Sequence, residues 1–154
     1  MPKKSAGILA YFINGENRPE YFLVHPGGPF FIKKDIGAWS IPKGEYDEGE
    51  DAKTVALREF EEETGNVLTE EKFIDLLPVK IKSGKIITAW GVQLQQKISF
   101  ISSNTFVMEW PPRSGKQNSF AEVDKAEWFT IDEAKAKINA GQLPVLLQLH
   151  TLIS

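Results

Sequence analysis

The sequence predicts a mixed α and β fold (α/β or α+β), and three observations lead to that class. Segments rich in Ile, Val, Leu, Tyr and Phe recur along the chain with the composition of strands. Residues 51–64 contain no Gly or Pro and place apolar side chains at helical spacing. Residues 130–133 read Thr-Ile-Asp-Glu, a capping box that starts another helix. A chain of 154 residues with 42% hydrophobic content is expected to form one domain, residues 1–154.

The first predicted elements are the strands of an N-terminal hairpin. Residues 7–14 and 20–25 have strand composition, and the Gly-Glu-Asn-Arg-Pro sequence between them favours a turn. Residues 39–41 are expected to form a short extended segment that Pro42 ends. Gly44 is expected to supply flexible backbone after it.

Three helices are predicted. The helix over residues 51–64 is expected to end at Gly65, and its apolar stripe consists of Ala52, Val55, Ala56 and Phe60. The capping box opens a second helix that ends near Gly141. Residues 144–153 follow a proline-initiated pattern and form a short last helix.

The remaining middle of the chain is predicted as two strands and a loop. Residues 73–81 and 86–94 flank a Lys-Ser-Gly-Lys turn, and Trp90 in the second strand is expected to face the core. Residues 102–120 contain two consecutive prolines and show no clear period, which predicts a long loop.

The composition limits the kinds of site that the chain can carry. Without cysteine, and with only His25 and His150 as imidazoles, a metal has to bind mainly to oxygen. A net charge of −3 gives no support to nucleic-acid binding. No apolar run is long enough to span a bilayer, and the N-terminus has no secretory pattern, so we expect no membrane association and a cytoplasmic protein.

Negative charge is concentrated in one segment. Residues 45–63 contain nine acidic and two basic residues, whereas the rest of the chain is mildly basic. Within the helix, Glu59, Glu62 and Glu63 stand at i, i+3 and i+4 and project from one side. Arg58 offsets only part of their repulsion, so a bound cation is expected, and carboxylate oxygens favour Mg²⁺ or Mn²⁺. This chemistry suits phosphate substrates.

The same segment resembles a known family motif. Gly44, Glu50 and the run Arg58-Glu59-Phe60-Glu61-Glu62-Glu63-Thr64-Gly65 match the fixed positions of the Nudix box, G-x5-E-x7-R-E-U-x-E-E-x-G-U, where U is bulky aliphatic. The box covers residues 44–66. Two positions depart from it, because Phe60 is aromatic and Asn66 is polar where aliphatic residues are usual. Val67 is a candidate to replace the packing of Asn66.

The resemblance to Nudix hydrolases implies a fold and an activity. The fold would be an α/β/α sandwich with a mixed β-sheet and a loop–helix–loop catalytic motif. The activity would be Mg²⁺-dependent cleavage of a phosphoanhydride bond, with Mn²⁺ as a possible substitute, in a nucleoside diphosphate-linked or polyphosphate substrate such as a dinucleoside polyphosphate or a nucleoside triphosphate. The metal ligands it implies are Gly44 through its carbonyl, Glu59, Glu62 and Glu63.

The resemblance also implies catalytic and supporting residues. Glu59 is expected to be a ligand or the general base, and Glu62 and Arg58 are placed with it in the catalytic set. Glu50 and Gly65 are expected to be structural supports. The family often supplies one more carboxylate from a later loop, and Glu122 is the candidate, with Glu127 behind it. A solvated loop acid is an equally good interpretation of Glu122.

Substrate contacts are predicted near the box. Lys43 could contact phosphates, and Trp39 and Tyr46 could stack on a nucleobase, although Trp39 also fits the core. The Pro-Lys-Gly sequence ahead of the box resembles Nudix enzymes that act on dinucleoside polyphosphates or diphosphoinositol polyphosphates. His25 is left out of the catalytic set, since a lone histidine at a strand end is usually incidental.

Two other kinds of function remain open at this level. The chain could be a non-catalytic nucleotide-binding module of the same fold, or a structural domain with an acidic helix. The sequence does not distinguish a monomer from a homodimer, and it does not identify the substrate.

Overall fold

The computed structural model describes residues 2–154 and contains nine strands and three α-helices within them. The strands are β1 (Lys4–Ile13), β2 (Pro19–Pro26), β3 (Lys43–Tyr46), β4 (Ile74–Asp75), β5 (Val79–Lys80), β6 (Ile86–Gln93), β7 (Thr105–Glu109), β8 (Gln117–Ala121) and β9 (Val123–Thr130). The helices are α1 (Ala52–Thr64), α2 (Ile131–Lys137) and α3 (Leu143–Ile153), with a short 3-10 helix at Ala140–Gln142.

Seven strands form one mixed sheet. Its central order is β4-β6-β1-β2-β9, with β3 paired to β1 and β5 paired to β6. Strands β1 and β6 are parallel, and every other pair is antiparallel. The hairpin of β7 and β8 is a separate two-stranded sheet. The predicted mixed sheet is confirmed.

The alternation of β1 explains why helices cover both faces of the sheet. Ala6, Ile8 and Ala10 point to one face, where they pack with the apolar stripe of α1. Leu9 and Tyr11 point to the other face, where they pack with residues of α2 and α3. Because both sets are buried, β1 is a central strand with no solvated face. This is the α/β/α sandwich that the family resemblance implied.

Local signals define the helix ends. The carboxylate of Asp51 accepts a hydrogen bond from the Thr54 N–H at 3.0 Å, which caps α1. Gly65 takes a left-handed conformation with φ of 79° and ends that helix, as predicted. Thr130 and Glu133 form the predicted capping box of α2. Of the helices in residues 2–154, none has the length and apolarity needed to cross a membrane.

Several sequence predictions about the middle of the chain are wrong. The predicted loop over residues 102–120 contains the β7–β8 hairpin, and its prolines and Gly115 occupy the connection between the strands. The predicted strand over residues 73–81 is two fragments, β4 and β5, of two residues each. Strand β9 was not predicted, because the charged residues Asp124, Lys125 and Glu127 interrupt its apolar positions, although Val123 and Phe129 are buried.

Two further details are corrected. Helix α2 ends at Lys137, before Gly141, and the chain continues as a 3-10 turn. Val67 does not replace the packing of Asn66, because its side chain is 66% exposed. Asn66 has its own role: its side-chain amide donates to the Ser99 carbonyl at 2.8 Å. The polar residue therefore ties the end of α1 to the chain that follows β6.

Candidate active site

Gly44 and Glu59 lie close together in the region of the box. Strand β3 pairs with β1 so that Gly44 lies opposite Ala6, directly under α1. A Cβ atom at Gly44 would lie 2.1 Å from Cδ and 2.3 Å from Oε1 of Glu59. Gly44 does not have a positive φ. Glycine is therefore required there for close approach by the carboxylate, and not for the flexible backbone that the sequence suggested.

Helix α1 presents its carboxylates because its opposite side is held in the core. Phe60 is fully buried, and its ring packs at 6.2 Å from that of Phe22 in β2. Thr64 is also buried, and its hydroxyl donates to the Phe60 carbonyl at 2.7 Å. With this side fixed, Glu59 and Glu63 are half-buried beside β3, whereas Glu61 is exposed.

Burial and like charges perturb two of these carboxyl groups. Desolvation, followed by the charges of Glu59 and Glu122, raises the pKa of Glu63 to about 8, although the charge and backbone amide of Lys43 act in the opposite direction. Desolvation and the charge of Glu62 raise the pKa of Glu59. Ionising these carboxyl groups together is therefore unfavourable in the protein alone, and a bound cation would offset that cost.

Arg58 lies among the carboxylates on the exposed side of the site. Its guanidinium nitrogens are 3.7 Å from Glu50, 4.0 Å from Glu59 and 3.7 Å from Glu62. Glu50 also accepts from the Asp47 N–H at 2.9 Å, which shapes the loop before α1. Because Arg58 is about half exposed, these contacts contribute little stability, and their effect is to orient the carboxylates.

Glu122, the residue between β8 and β9, is held near the site by a chain of backbone hydrogen bonds. Its N–H donates to the Asn104 carbonyl at 2.8 Å, and the Asn104 N–H donates to the Glu62 carbonyl at 2.9 Å. The segment is thereby attached to the C-terminal turn of α1. Glu122 is close enough for its charge to raise the pKa values of Glu59 and Glu63. Asn104 was missed by the sequence reasoning, because nothing in its neighbourhood marks it as a bridge.

Two of the residues predicted to contact substrate, Lys43 and Tyr46, lie on β3. Lys43 is half-buried beside Glu63 and Glu59, and desolvation lowers the pKa of its ammonium group. Tyr46 packs partly on the core and lines an open cavity of about 370 Å³ with Lys3 and Lys4. Both residues lie on the same strand as Gly44.

Two other predicted positions do not belong to the site. Trp39 is 1% exposed, packs edge-on against Phe129 and His25, and donates from Nε1 to Asp35 at 2.8 Å. A ring buried in this way cannot stack on a nucleobase, so its substrate-binding prediction is wrong. Glu127 is exposed on β9 opposite Leu23, away from the carboxylates of α1.

His25 is a structural residue that the sequence reasoning set aside. It is 1% exposed, and its ring contacts two acceptors, the Asp124 carboxylate at 2.8 Å from Nδ1 and the Lys34 carbonyl at 2.6 Å from Nε2. Because a carbonyl oxygen can only accept, Nε2 is the donor to Lys34, and the contact of Nδ1 with Asp124 fixes the orientation of the ring. His25 therefore joins β2 to the following loop and to β9.

The donor set fits a hard divalent cation. Among residues 2–154, no three carboxylate or imidazole side chains already converge as a complete metal cage. Mg²⁺ does not need one, because it usually keeps several waters and uses one or two carboxylates together with substrate phosphates. The space that the missing Cβ of Gly44 leaves for Glu59, and the crowding of carboxyl groups around Glu63, suit such a partial set.

Comparison with known proteins agrees with this geometry. The NUDIX domain model matches residues 3–149. Nudix hydrolase 7 of Arabidopsis thaliana is 34% identical over 130 residues, which are 82% of this chain and 39% of that protein. An RNA pyrophosphohydrolase of Dinoroseobacter shibae is 42% identical over 48 residues, 31% of this chain and 30% of its own length. The chain thus spans about two fifths of the length of the Arabidopsis relative.

Solved structures share the fold at low sequence identity. The NUDIX domain of Shewanella oneidensis NrtR, complexed with ADP ribose, has a TM-score of 0.67 at 15% identity, over 100% of this chain and 90% of that chain. The Ap4A hydrolase of C. elegans has a TM-score of 0.64 at 19% identity, over 100% of both chains. The matched family model, the intact box and the shared fold together show that this chain belongs to the Nudix family.

Proposed function

We propose that this protein is a Mg²⁺-dependent pyrophosphohydrolase, with Mn²⁺ able to substitute. Its substrate is a nucleoside diphosphate-linked or polyphosphate compound, with dinucleoside polyphosphates and nucleoside triphosphates as the first candidates. The observation that carries the proposal is the close approach of Glu59 to Gly44, with Glu63 and Glu122 near enough for their charges to act in the same region. Hydrolysis of Ap4A and binding of ADP ribose by structural neighbours agree with this class of substrate.

The residues of the box have different proposed roles. Glu59, Glu62, Glu63 and the Gly44 carbonyl would hold the cation, and Arg58 orients Glu59 and Glu62 from the solvent side. When bound, the divalent cation supplies charge neutralisation at the phosphate oxygens and makes a water molecule more acidic.

Two residues outside the helix complete the proposed site. Glu122 lies near the carboxylates of α1 without belonging to that helix, which suits a group that accepts the proton of the attacking water. Lys43 holds an ammonium group on the β3 side, where it can contact a phosphate oxygen of the substrate. The carboxylates would therefore act on the water, and the lysine would contact the substrate from the β3 side.

The test is a hydrolysis screen with matched variants. Dinucleoside polyphosphates, nucleotide sugars, ADP-ribose, capped RNA and nucleoside triphosphates are incubated with Mg²⁺ or Mn²⁺, and phosphate and nucleotide products are measured. Glu62→Gln and Glu63→Gln are expected to lower turnover about 100-fold or more, which corresponds to about 3 kcal/mol of transition-state stabilisation. Glu61→Gln is the control, because Glu61 is exposed on the same turn. Unchanged turnover in both site variants would refute the proposal.

The same screen decides the alternative function. If the protein binds members of the panel with Mg²⁺ or Mn²⁺ and yields no product from any of them, the chain is a non-catalytic nucleotide-binding module. The complete set of box residues favours the enzyme, since a binding module has no need for every carboxylate.

A further inference from the structure

An aromatic cavity lies between the 27–38 loop and the β7–β8 hairpin. Its volume is about 410 Å³, within the range of small-molecule pockets. Its walls include Pro29, Ile32, Trp110, Phe120 and Asp124. The Phe30 ring does not line the cavity itself, but it stands edge-on to the lining residue Trp110 at 5.4 Å and is 59% exposed. Large apolar side chains are thus concentrated at one surface opening, outside both core clusters.

The loop that forms one wall is held in place at several points. The His25 Nε2 donates to the Lys34 carbonyl at 2.6 Å, and the Gly27 N–H donates to the Glu122 carbonyl at 2.8 Å. Gly28 has a φ of 95°, and a Cβ there would lie 2.9 Å from the Phe106 ring of the hairpin. The loop therefore rests directly on the hairpin, and the cavity is formed before any ligand binds.

The cavity lies beside the chain segment that carries Glu122. Ala121 lines the cavity, and the next residue is Glu122, whose charge acts on Glu59 and Glu63. Consecutive Cα atoms are about 3.8 Å apart, so the chain here links the cavity wall to the residue whose charge acts on the carboxylates of α1. This short link makes the cavity the aromatic surface to consider for the part of the substrate that the box does not bind.

We propose that this cavity is the subsite for the nucleobase of the substrate. The inference rests on the proposed function. It adds a binding place for the nucleobase, whose identity the residues of the box do not determine. Trp110 and Phe30 offer aromatic faces on which any base can stack, which is the usual way of binding an unpaired base. Asp124 lines the cavity and uses one carboxylate oxygen on His25, so the other can accept from an N–H of the base edge.

Binding measurements test the subsite without relying on turnover. ADP, GDP, CDP and UDP are titrated in the presence of Mg²⁺ by calorimetry, with inorganic pyrophosphate as the base-free ligand. Phe30→Ala and Trp110→Leu are expected to weaken binding of the preferred nucleoside diphosphate roughly 10- to 100-fold, the loss expected when one stacking contact is removed. Pyrophosphate affinity is expected to stay within about twofold.

The control is Ile36→Ala. Ile36 is 70% exposed on the same loop, does not line the cavity and has no aromatic face on which a base could stack, so its removal should leave both ligands unaffected. Phe30 is 59% exposed, and Phe30→Ala is therefore expected to fold even if Trp110→Leu does not. Circular dichroism establishes the fold of each variant.

The outcomes separate the subsite from the activity. The subsite would be overturned if Phe30→Ala kept its nucleotide affinity, or if it lost pyrophosphate affinity as strongly as nucleotide affinity. Failure of all four nucleotides to bind the wild type would also overturn it. Selective loss of nucleotide binding in a protein that hydrolyses nothing would support the subsite and refute the proposed activity. Normal hydrolysis by the wild type, together with unchanged nucleotide binding in Phe30→Ala and Trp110→Leu, would support the proposed activity and refute the subsite.

Discussion

Replacing Gly44 by alanine should remove activity while leaving the fold intact. The added Cβ would lie 2.1 Å from Cδ of Glu59, whereas two non-bonded carbons settle at about 3.5 to 4.0 Å. The Glu59 carboxylate therefore has to retreat by about 1.5 Å. Misplacing a reacting group by about 1 Å can cost about 100-fold in rate, so we expect kcat to fall about 100-fold or more.

Stability should respond much less than rate. The atoms that clash are at the end of a flexible side chain that can rotate toward solvent, and the strand backbone at Gly44 does not need a left-handed conformation. We expect the free energy of unfolding to change by less than about 1 kcal/mol. Thermal melts followed by circular dichroism, beside steady-state kinetics on the preferred substrate, measure the two effects separately.

Gly15→Ala is the matched control for this prediction. Gly15 lies in the first hairpin turn, and a Cβ there meets no atom within 4 Å. Its rate should therefore equal that of the wild type. A Gly44→Ala protein that keeps its full kcat, or one that unfolds before its activity can be measured, would refute the argument that the glycine exists to admit the Glu59 carboxylate.

Three further predictions concern charge and position. In the metal-free protein, the folded state keeps the Glu63 proton up to about pH 8, whereas the unfolded state loses it near pH 4.5. The free energy of unfolding should therefore fall by an amount on the order of 5 kcal/mol as the pH rises across that window, as urea titrations would show. Saturating Mg²⁺, or Glu63→Gln, should flatten this decline, and an equally steep decline in Glu63→Gln would contradict it. Glu122→Gln should lower kcat about 100-fold while the Mg²⁺ concentration for half-maximal rate changes little, and a large change in that concentration would instead make Glu122 a metal ligand. His25→Ala should lower the free energy of unfolding by about 2 to 4 kcal/mol, and hydrogen exchange should become faster around Lys34; unchanged exchange there would mean that the loop does not depend on His25.

The sequence indicated the chemistry of the box because that chemistry is local. Glu59, Glu62 and Glu63 are placed on one side of α1 by helical spacing alone, and Phe60 is placed on the other. The strong pattern of β1, β2 and β6 likewise made the main sheet predictable, because buried strands carry continuous apolar runs. These features need no knowledge of the tertiary structure.

Contacts between distant segments were harder to predict. A tryptophan such as Trp39 can either bind a ligand or pack in the core. Only the packing of β2 and β9 around it shows that it is buried. The strands of the β7–β8 hairpin are short and mostly exposed, and prolines lie between them. Both features hid the alternating pattern in the sequence. His25 and Asn104 act through partners far away in the chain, and spacing carries no information about such pairs.

The central claim is that the carboxylates of α1 hold a divalent cation for phosphoanhydride hydrolysis. The most direct measurement is the initial rate of hydrolysis of the preferred substrate as a function of Mg²⁺ concentration, for the wild type and for Glu63→Gln. We predict a saturable, Mg²⁺-dependent rate that EDTA abolishes in the wild type, and a curve displaced to much higher Mg²⁺ with a lower maximum in the variant. A rate that persists in EDTA, or superimposable curves for the two proteins, would contradict the account.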